Sequence, residues 1–351
     1  MKRSDYNKIF MVLMLLFLTA YFAEAEELTK RVSKSFNIKK DTKIEVSNKY
    51  GNIIIKRWDK SVFDLKVEIE AAGRNEAKTE KILEAIQIDV RDRISSGLLS
   101  VETEIGQISG NSNFSVHYEI SMPATNPMKV SNSFGNIYMG SHDGDMDIVL
   151  KYGQLMAEDL KNADVRIEFS SARCEIESLS GGKLDLRYSK MEIENLGDME
   201  IKSQFSELQI GNAGALSIDG RYGNFEIENL KSMHGDIQFS GLDIENLAGS
   251  IVLETKHGDG INLEKVSREF GKIDIEGQFS TININMENGA TALLEFDLQF
   301  GNLKARGEGI NFNSVIKENS SSEYSGYLGR ADASSLVKVS TRYGNIRFEV
   351  N

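Results

Sequence analysis

Apolar residues recur at every second position along this chain in short bursts, and each burst ends at a ring. Ile148, Leu150 and Tyr152 alternate with polar neighbours, as do Leu184, Leu186 and Tyr188, and Ile218 keeps the same parity as Tyr222. A period of two marks a strand with one buried face. Beyond each ring the apolar positions move to the third and fifth places, as in Leu155 and Ala157, Met191 and Ile193, Phe225 and Ile227, and Leu242 and Ile244. Inward parity has shifted by one, which requires a bend or bulge. The residues at that point are Gly or Ser followed by a polar residue, types that tolerate unusual backbone angles and close approach. The Gly or Ser is therefore expected to form the corner and the ring to point into the core. A second corner is expected at Glu-Asn-Leu (194–196, 228–230 and 245–247), where Asn can bond its own backbone and Leu closes the core.

The ring-and-corner pattern recurs twelve times, at Tyr50, Phe134, Tyr152, Phe169, Tyr188, Phe205, Tyr222, Phe239, His257, Phe279, Phe300 and Tyr343. From Phe134 to Phe300 the steps are about 17 to 22 residues. Each unit is too small to bury its own apolar face, so neighbours must stack to make a continuous core. The expected fold is all-β: a parallel β-helix, or β-solenoid, with coils of about 17 to 22 residues. A right-handed coil is favoured because the left-handed hexapeptide pattern is absent. About a dozen coils rising about 4.8 Å each would give a rod on the order of 55 Å long.

One regularity leaves two windings open. Tyr follows Lys or Arg at 49, 151, 187, 221 and 342, whereas Phe follows Gln or Glu at 168, 204, 238, 278 and 299. If one turn is about 17 residues, alternation keeps stacked cations two coils apart and lowers their repulsion. If one turn is about 35 residues, the two motifs lie on two faces. The first is preferred.

Residues 26–125 hold one ring motif, longer alternating runs such as 63–69, 98–104 and 114–120, and a helical stretch over 75–86 rich in Ala, Glu, Lys and Leu. This strand-rich section is expected to cap the first coil, since an open end would expose unpaired backbone. Residues 126–351 carry the solenoid repeats, with a boundary expected near Pro123 and Pro127, the only two prolines. A Ser-rich insertion at 318–335, "ENSSSEYSGYLGRADASS", is expected to be a flexible loop rather than a functional excursion.

The N-terminus changes the setting of this fold. Lys2 and Arg3, the apolar run 9–20 and Ala23-Glu24-Ala25 have the form of a secretory signal peptide over residues 1–25. Its apolar core is short for a membrane span, and no second apolar run follows, so no membrane insertion is expected after cleavage. The mature protein is expected to be periplasmic, at the cell surface or extracellular. Cys174 is the only cysteine, so no disulfide framework is available. A formal net charge of -12, spread along the chain without a basic block, makes it a poor nucleic-acid binder.

Candidate chemistry is sparse. Glu194, Glu228 and Glu245 would form a row if coils stack in register, and polysaccharide-acting enzymes can align acids on such scaffolds. Catalysis needs one unequal environment that separates two pKa values, and a repeated corner predicts a uniform row. His117, His142, His234 and His257 are scattered without metal-ligand spacing, and His257 takes a ring slot. In "SHDGDMD", Asp143, Asp145 and Asp147 at alternate positions suggest calcium, but Ile148 and Gln154 stand where an EF-hand loop needs Gly and Glu. A plain turn is preferred there. Cys174 shares inward parity with Ala172 and Ile176 and reads as a buried small hydrophobe rather than a nucleophile. No nucleotide, dinucleotide, hydrolase or zinc motif is present, and no cofactor is expected.

The repeated Y/F-G-N-I corners, the segment "FNIKKDTKIEVSNKYGNIIIKRWDKSVFDLKVEI" and the closing "GYLGRADASSLVKVSTRYGNIRFEV" resemble a family of β-strand-repeat proteins of unknown function, grouped as adhesin-like proteins of bacterial envelopes. The likeness covers most of the mature chain and implies an exported bacterial β-solenoid with no catalytic residues to carry across. Its functional label rests on analogy of fold. The expected function is a non-catalytic envelope protein, adhesin-like or a scaffold, presenting a surface to a protein or glycan partner. A polysaccharide-binding or polysaccharide-cleaving β-helix protein is the alternative, and a periplasmic sensor or scaffold in envelope signalling is a third.

Overall fold

The computed structural model describes residues 26–108, 113–258 and 260–351, so the signal-peptide reading of residues 1–25 lies outside the described residues. Among the described residues the alternating segments form 27 strands joined in one hydrogen-bonded network, so the fold is all-β. The N-terminal section holds β1 (Glu26–Asn37), β2 (Lys43–Lys49), β3 (Ile53–Arg57), β4 (Val62–Gly73), β5 (Ile86–Arg93), β6 (Leu98–Ile105), β7 (Asn113–Met122), β8 (Met128–Ser133) and β9 (Ile137–Met139). Its helix α1 (Glu76–Ala85) starts where expected, with the Asn75 side chain accepting from the Lys78 N–H as N-cap.

The repeats hold β10 (His142–Lys151), β11 (Leu155–Glu168), β12 (Arg173–Leu179), β13 (Gly182–Arg187), β14 (Lys190–Leu196), β15 (Met199–Gln204), β16 (Glu207–Arg221), β17 (Asn224–Gln238), β18 (Gly241–Lys256), β19 (Gly260–Val266), β20 (Lys272–Gln278) and β21 (Ile282–Met286). The C-terminal part adds β22 (Ala292–Gln299), β23 (Leu303–Arg306), β24 (Ile310–Lys317), β25 (Ser321–Leu328), β26 (Leu336–Arg342) and β27 (Ile346–Val350).

Successive repeats pair directly and in parallel. Leu184 lies against Ile201 and Met191 against Leu208, and these in turn against Ile218 and Phe225. Each pass of the chain therefore lies on the previous one, with strands before the ring in one ladder and strands after it in a second. Inward residues of both ladders, among them Ile148, Leu186, Ile201, Ile193 and Phe225, share one buried core. The two ladders meet closely enough that a Cβ on Gly220 would lie 2.5 Å from the Phe225 ring, so the glycine makes room for that ring.

The ends depart from chain order. At the C-terminal end β26 and β27 slip between the ladders' β20 and β21 on one side and β22 and β23 on the other. At the N-terminal end β6 and β7 lie outside β2 and β3, which are followed by β8 and β9. Antiparallel strands extend both ends: β5 on β6, β4 and β1 on β7, and β25 and β24 on β22.

Two local expectations are corrected. Residues 318–335 do not form a flexible loop throughout, because 321–328 are β25, paired with both β22 and β24. The corner is also not the glycine's. The left-handed backbone belongs to the ring, since all twelve ring residues have φ between +50° and +61°. That φ turns the side chain out of the core at the last step of the alternation. Tyr50, Phe134, Tyr152, Phe169, Tyr188, Phe205, Tyr222, Phe239, Phe279, Phe300 and Tyr343 are 41–51% exposed, and His257 is exposed as well.

Candidate functional site: the outer columns

Stacking in register turns each repeated residue type into a column along the outside of the molecule. The first column is the ring ladder. Neighbouring rings from Tyr50 to Tyr343 lie 4.6–5.2 Å apart and within 10° of parallel, and Phe300 continues the stack from Tyr343 at 4.8 Å. Phe114 closes the Tyr50 end edge-on at 5.3 Å. A left-handed residue other than Gly costs about 1 to 2 kcal/mol. Stacked aromatic pairs return about 0.5 to 1.5 kcal/mol each beyond their buried area, so the ladder offsets part of the strain of its own corners. Ring faces are covered by neighbouring rings along the ladder, which leaves edges rather than faces to solvent. A sugar could not stack on an interior ring without parting the ladder.

The residue after each ring secures the corner in one of two ways. At Gly153 a Cβ would lie 2.0 Å from the Gly135 carbonyl oxygen, so the backbones approach where only hydrogen fits. At Ser189 the hydroxyl accepts from the Ser170 N–H at 3.2 Å and donates to the Arg187 carbonyl at 2.8 Å. Ser206 repeats this on Ser189 and Gln204.

The second column is built of side-chain amides. Asn at the Glu-Asn-Leu corner bonds its neighbour in the next repeat, not its own backbone as expected. Asn212 donates to Asn195 Oδ1 at 2.9 Å, Asn229 to Asn212 at 3.0 Å and Asn246 to Asn229 at 3.1 Å. This amide ladder lines a shallow groove of about 540 Å³ with Ser178, Ser180 and Lys231. The sequence signal was the recurrence of Asn in one slot of successive repeats. The restriction of ring slots to Phe, Tyr and His was a similar signal, because slots that merely fill a core also accept Leu, Ile and Val.

The third column is acidic. Glu194, Glu228 and Glu245 do lie along one face, where they line a groove of about 330 Å³ with Glu192, Glu226 and Asp243. Gly211 stands in the Glu194 row, between the pairs Ile193–Ile210 and Asn195–Asn212, and interrupts it. The parallel row is tied to neighbours: Arg173 bonds Glu192 at 2.6 Å, Gln209 donates to Glu226 at 2.7 Å and Asn262 donates to Asp243. All three corner glutamates are exposed, and neither row encloses one carboxyl group while leaving its partner in water.

The remaining candidates do not come together. Asp143 faces Arg57 at 3.6 Å, Asp145 accepts from Asn162 at 2.8 Å and Asp147 pairs with Lys129 at 2.7 Å. Among the described residues no group of three or more His, Cys, Asp or Glu side chains is placed to hold a metal ion. Cys174 is fully buried, and burial pushes its thiol up from the usual range. His142 is buried, with Nε2 2.9 Å from the Asn126 carbonyl, and burial holds its pKa below the ordinary value. His117 Nδ1 accepts from the Asn52 N–H at 3.2 Å, and His257 takes its place in the ring ladder. No helix of the described residues is long and apolar enough to cross a membrane.

No protein-family model and no curated protein matches the chain. Among solved structures it is similar to a candidate cell adhesion protein from Clostridium sporogenes, at 12% identity over 92% of this chain and 100% of that one, with a TM-score of 0.22. It is similar to a candidate adhesin from Bacteroides fragilis at 13% identity, covering 91% and 96% of the two chains with a TM-score of 0.28. A candidate lipid binding protein from Parabacteroides distasonis matches at 12% identity over 72% and 93%, with a TM-score of 0.27.

Proposed function

We propose that this chain is a non-catalytic, exported envelope protein: a right-handed β-solenoid, adhesin-like or a scaffold, whose outer columns are presented to a protein or glycan of the cell envelope. One observation supports this reading above the others. The longest polar column on the outside repeats one group in a similar setting from pass to pass, as the stacked Asn195, Asn212, Asn229 and Asn246 show. Repetition suits an extended partner that is bound many times weakly, whereas catalysis needs one exceptional position.

The test is fractionation of intact cells to find the compartment, followed by binding of residues 26–351 to purified envelope glycans and proteins. Binding that weakens when several members of one column are replaced together supports the proposal. Retention in the cytoplasm would contradict export. Turnover of a polysaccharide that is lost on replacing Glu228 would establish the enzyme reading instead.

A further inference from the structure

Among the described residues four strands pair on one side only and so end the hydrogen-bonded network: β1, β5, β23 and β24. Exposed edges invite pairing with other chains, and proteins blunt them with charge or shortness. Three of the four are blunted in this way. β1 carries Lys30, Arg31 and Lys34; β5 carries Asp89, Arg91, Asp92 and Arg93; β23 has only four residues, two of them Lys304 and Arg306. β24, "INFNSVIK", is eight residues long and carries one charge, Lys317.

Two apolar residues of β24 are also uncovered, while Ile310 and Phe312 are partly buried against the core. Val315 is 49% exposed and Ile316 is 52% exposed, while Phe312 leans over the end of the core with its ring 6.3 Å from that of Phe296. Pairing with β25 sets Ile310 against Leu328, Phe312 against Gly326 and Val315 against Tyr324, with a register shift between Phe312 and Ser314. An odd spacing in a regular strand would send Phe312 and Val315 to opposite faces. The irregularity at Asn313 places them on the same face.

We propose that β24 is a homodimer edge, on which a second copy of this chain pairs through its own β24, antiparallel and about a two-fold axis. The strand is self-complementary in that arrangement. A dyad between Asn313 and Ser314 sets Phe312 of each copy against Val315 of the other, on the inward face, and Asn311 against Ile316 on the outward face. Ile310 then lies opposite Lys317, and Glu308 of one copy lies diagonal to Lys317 of the other, an opposite-charge pair. No like charges meet across the dyad. An isologous contact of this kind closes on itself, so the product is a dimer rather than a fibre.

Sedimentation equilibrium of residues 26–351 from about 1 to 100 μM tests the proposal. The expected result is a concentration-dependent dimer whose dissociation constant rises at least tenfold in Val315→Lys, while Val252→Lys leaves it unchanged. Val252 is 43% exposed on the flank of the molecule and controls for a new surface lysine. Because both valines are already half exposed, both variants should keep the parent melting temperature. A monomer at every concentration, or a dimer that Val315→Lys does not weaken, overturns the proposal.

Discussion

Tyr343 stacks on Phe279 with ring centroids 4.9 Å apart and planes 9° from parallel, although a full repeat containing Phe300 lies between them in sequence. Phe300 then stacks on the other side of Tyr343 at 4.8 Å. In sequence two Phe motifs follow one another here, and the alternation of Tyr with Phe fails. In space the C-terminal strands slip between them, and the alternation is restored. The column before the rings follows the same order, with Arg342 between Gln278 and Gln299.

This ordering makes a prediction about charge. Replacing Gln299 with Lys puts a second cation one strand spacing, about 4.8 Å, from Arg342. The variant should lose on the order of 0.5 to 1 kcal/mol of stability at low salt, and most of that loss should vanish in about 1 M NaCl. Urea denaturation at the two salt concentrations measures it.

The exposed ladder reverses the usual ranking of Ala and Gly. Tyr222→Ala keeps a left-handed Cβ and loses two stacking partners, so it should cost about 1 to 3 kcal/mol. Tyr222→Gly loses the same partners but relieves the backbone, and it should be the more stable of the two by about 1 kcal/mol. Phe225→Ala, in the core, should cost about 3 to 5 kcal/mol. Denaturation midpoints of the three variants check the order.

An amide ladder predicts a loss out of proportion to exposure. Asn229 is exposed, yet it donates to Asn212 and accepts from Asn246. Asn229→Ala should cost about 1 to 2 kcal/mol, against less than about 0.5 kcal/mol for an ordinary surface substitution. Chemical denaturation beside a substitution at the exposed corner residue Glu245 provides the comparison.

The buried His142 sets a pH dependence. Its folded pKa lies below the ordinary value of 6.5, so the unfolded chain takes up the proton first as pH falls. Stability contributed by the neutral ring is full above about pH 6.5 and declines as pH drops from there toward the folded pKa. His142→Gln should flatten the part of the thermal-stability profile between pH 7 and 5.5. The carboxylates Glu119 and Glu287, held below their ordinary range by Lys56 with Lys66 and by Arg268, act only at lower pH.

Strand content, the spacing of repeats and the inward residues were legible because alternation of apolar and polar positions reports burial directly. The ring positions were legible as a repeat but were placed on the wrong side of the wall. Tyr152 follows Ile148 and Leu150 at the inward parity, and only its left-handed φ of 55° turns it outward. Parity counts residues and carries no information about φ. The order of the end strands was hidden for a different reason. Hydrophobic pattern gives each strand a face but not a neighbour, so β26 and β27 could be placed only through their backbone pairing.

Each ring motif advances the chain by one strand spacing, so that outer residues form continuous columns. Spin labels at Ser133→Cys and Gln238→Cys, both in the column before the rings, test it by electron–electron distance measurement, with the buried Cys174 left in place. Six spacings separate these positions, so a distance near 29 Å is expected, broadened by the label linkers. A distance near 14 Å would mean instead that one strand spacing takes two motifs.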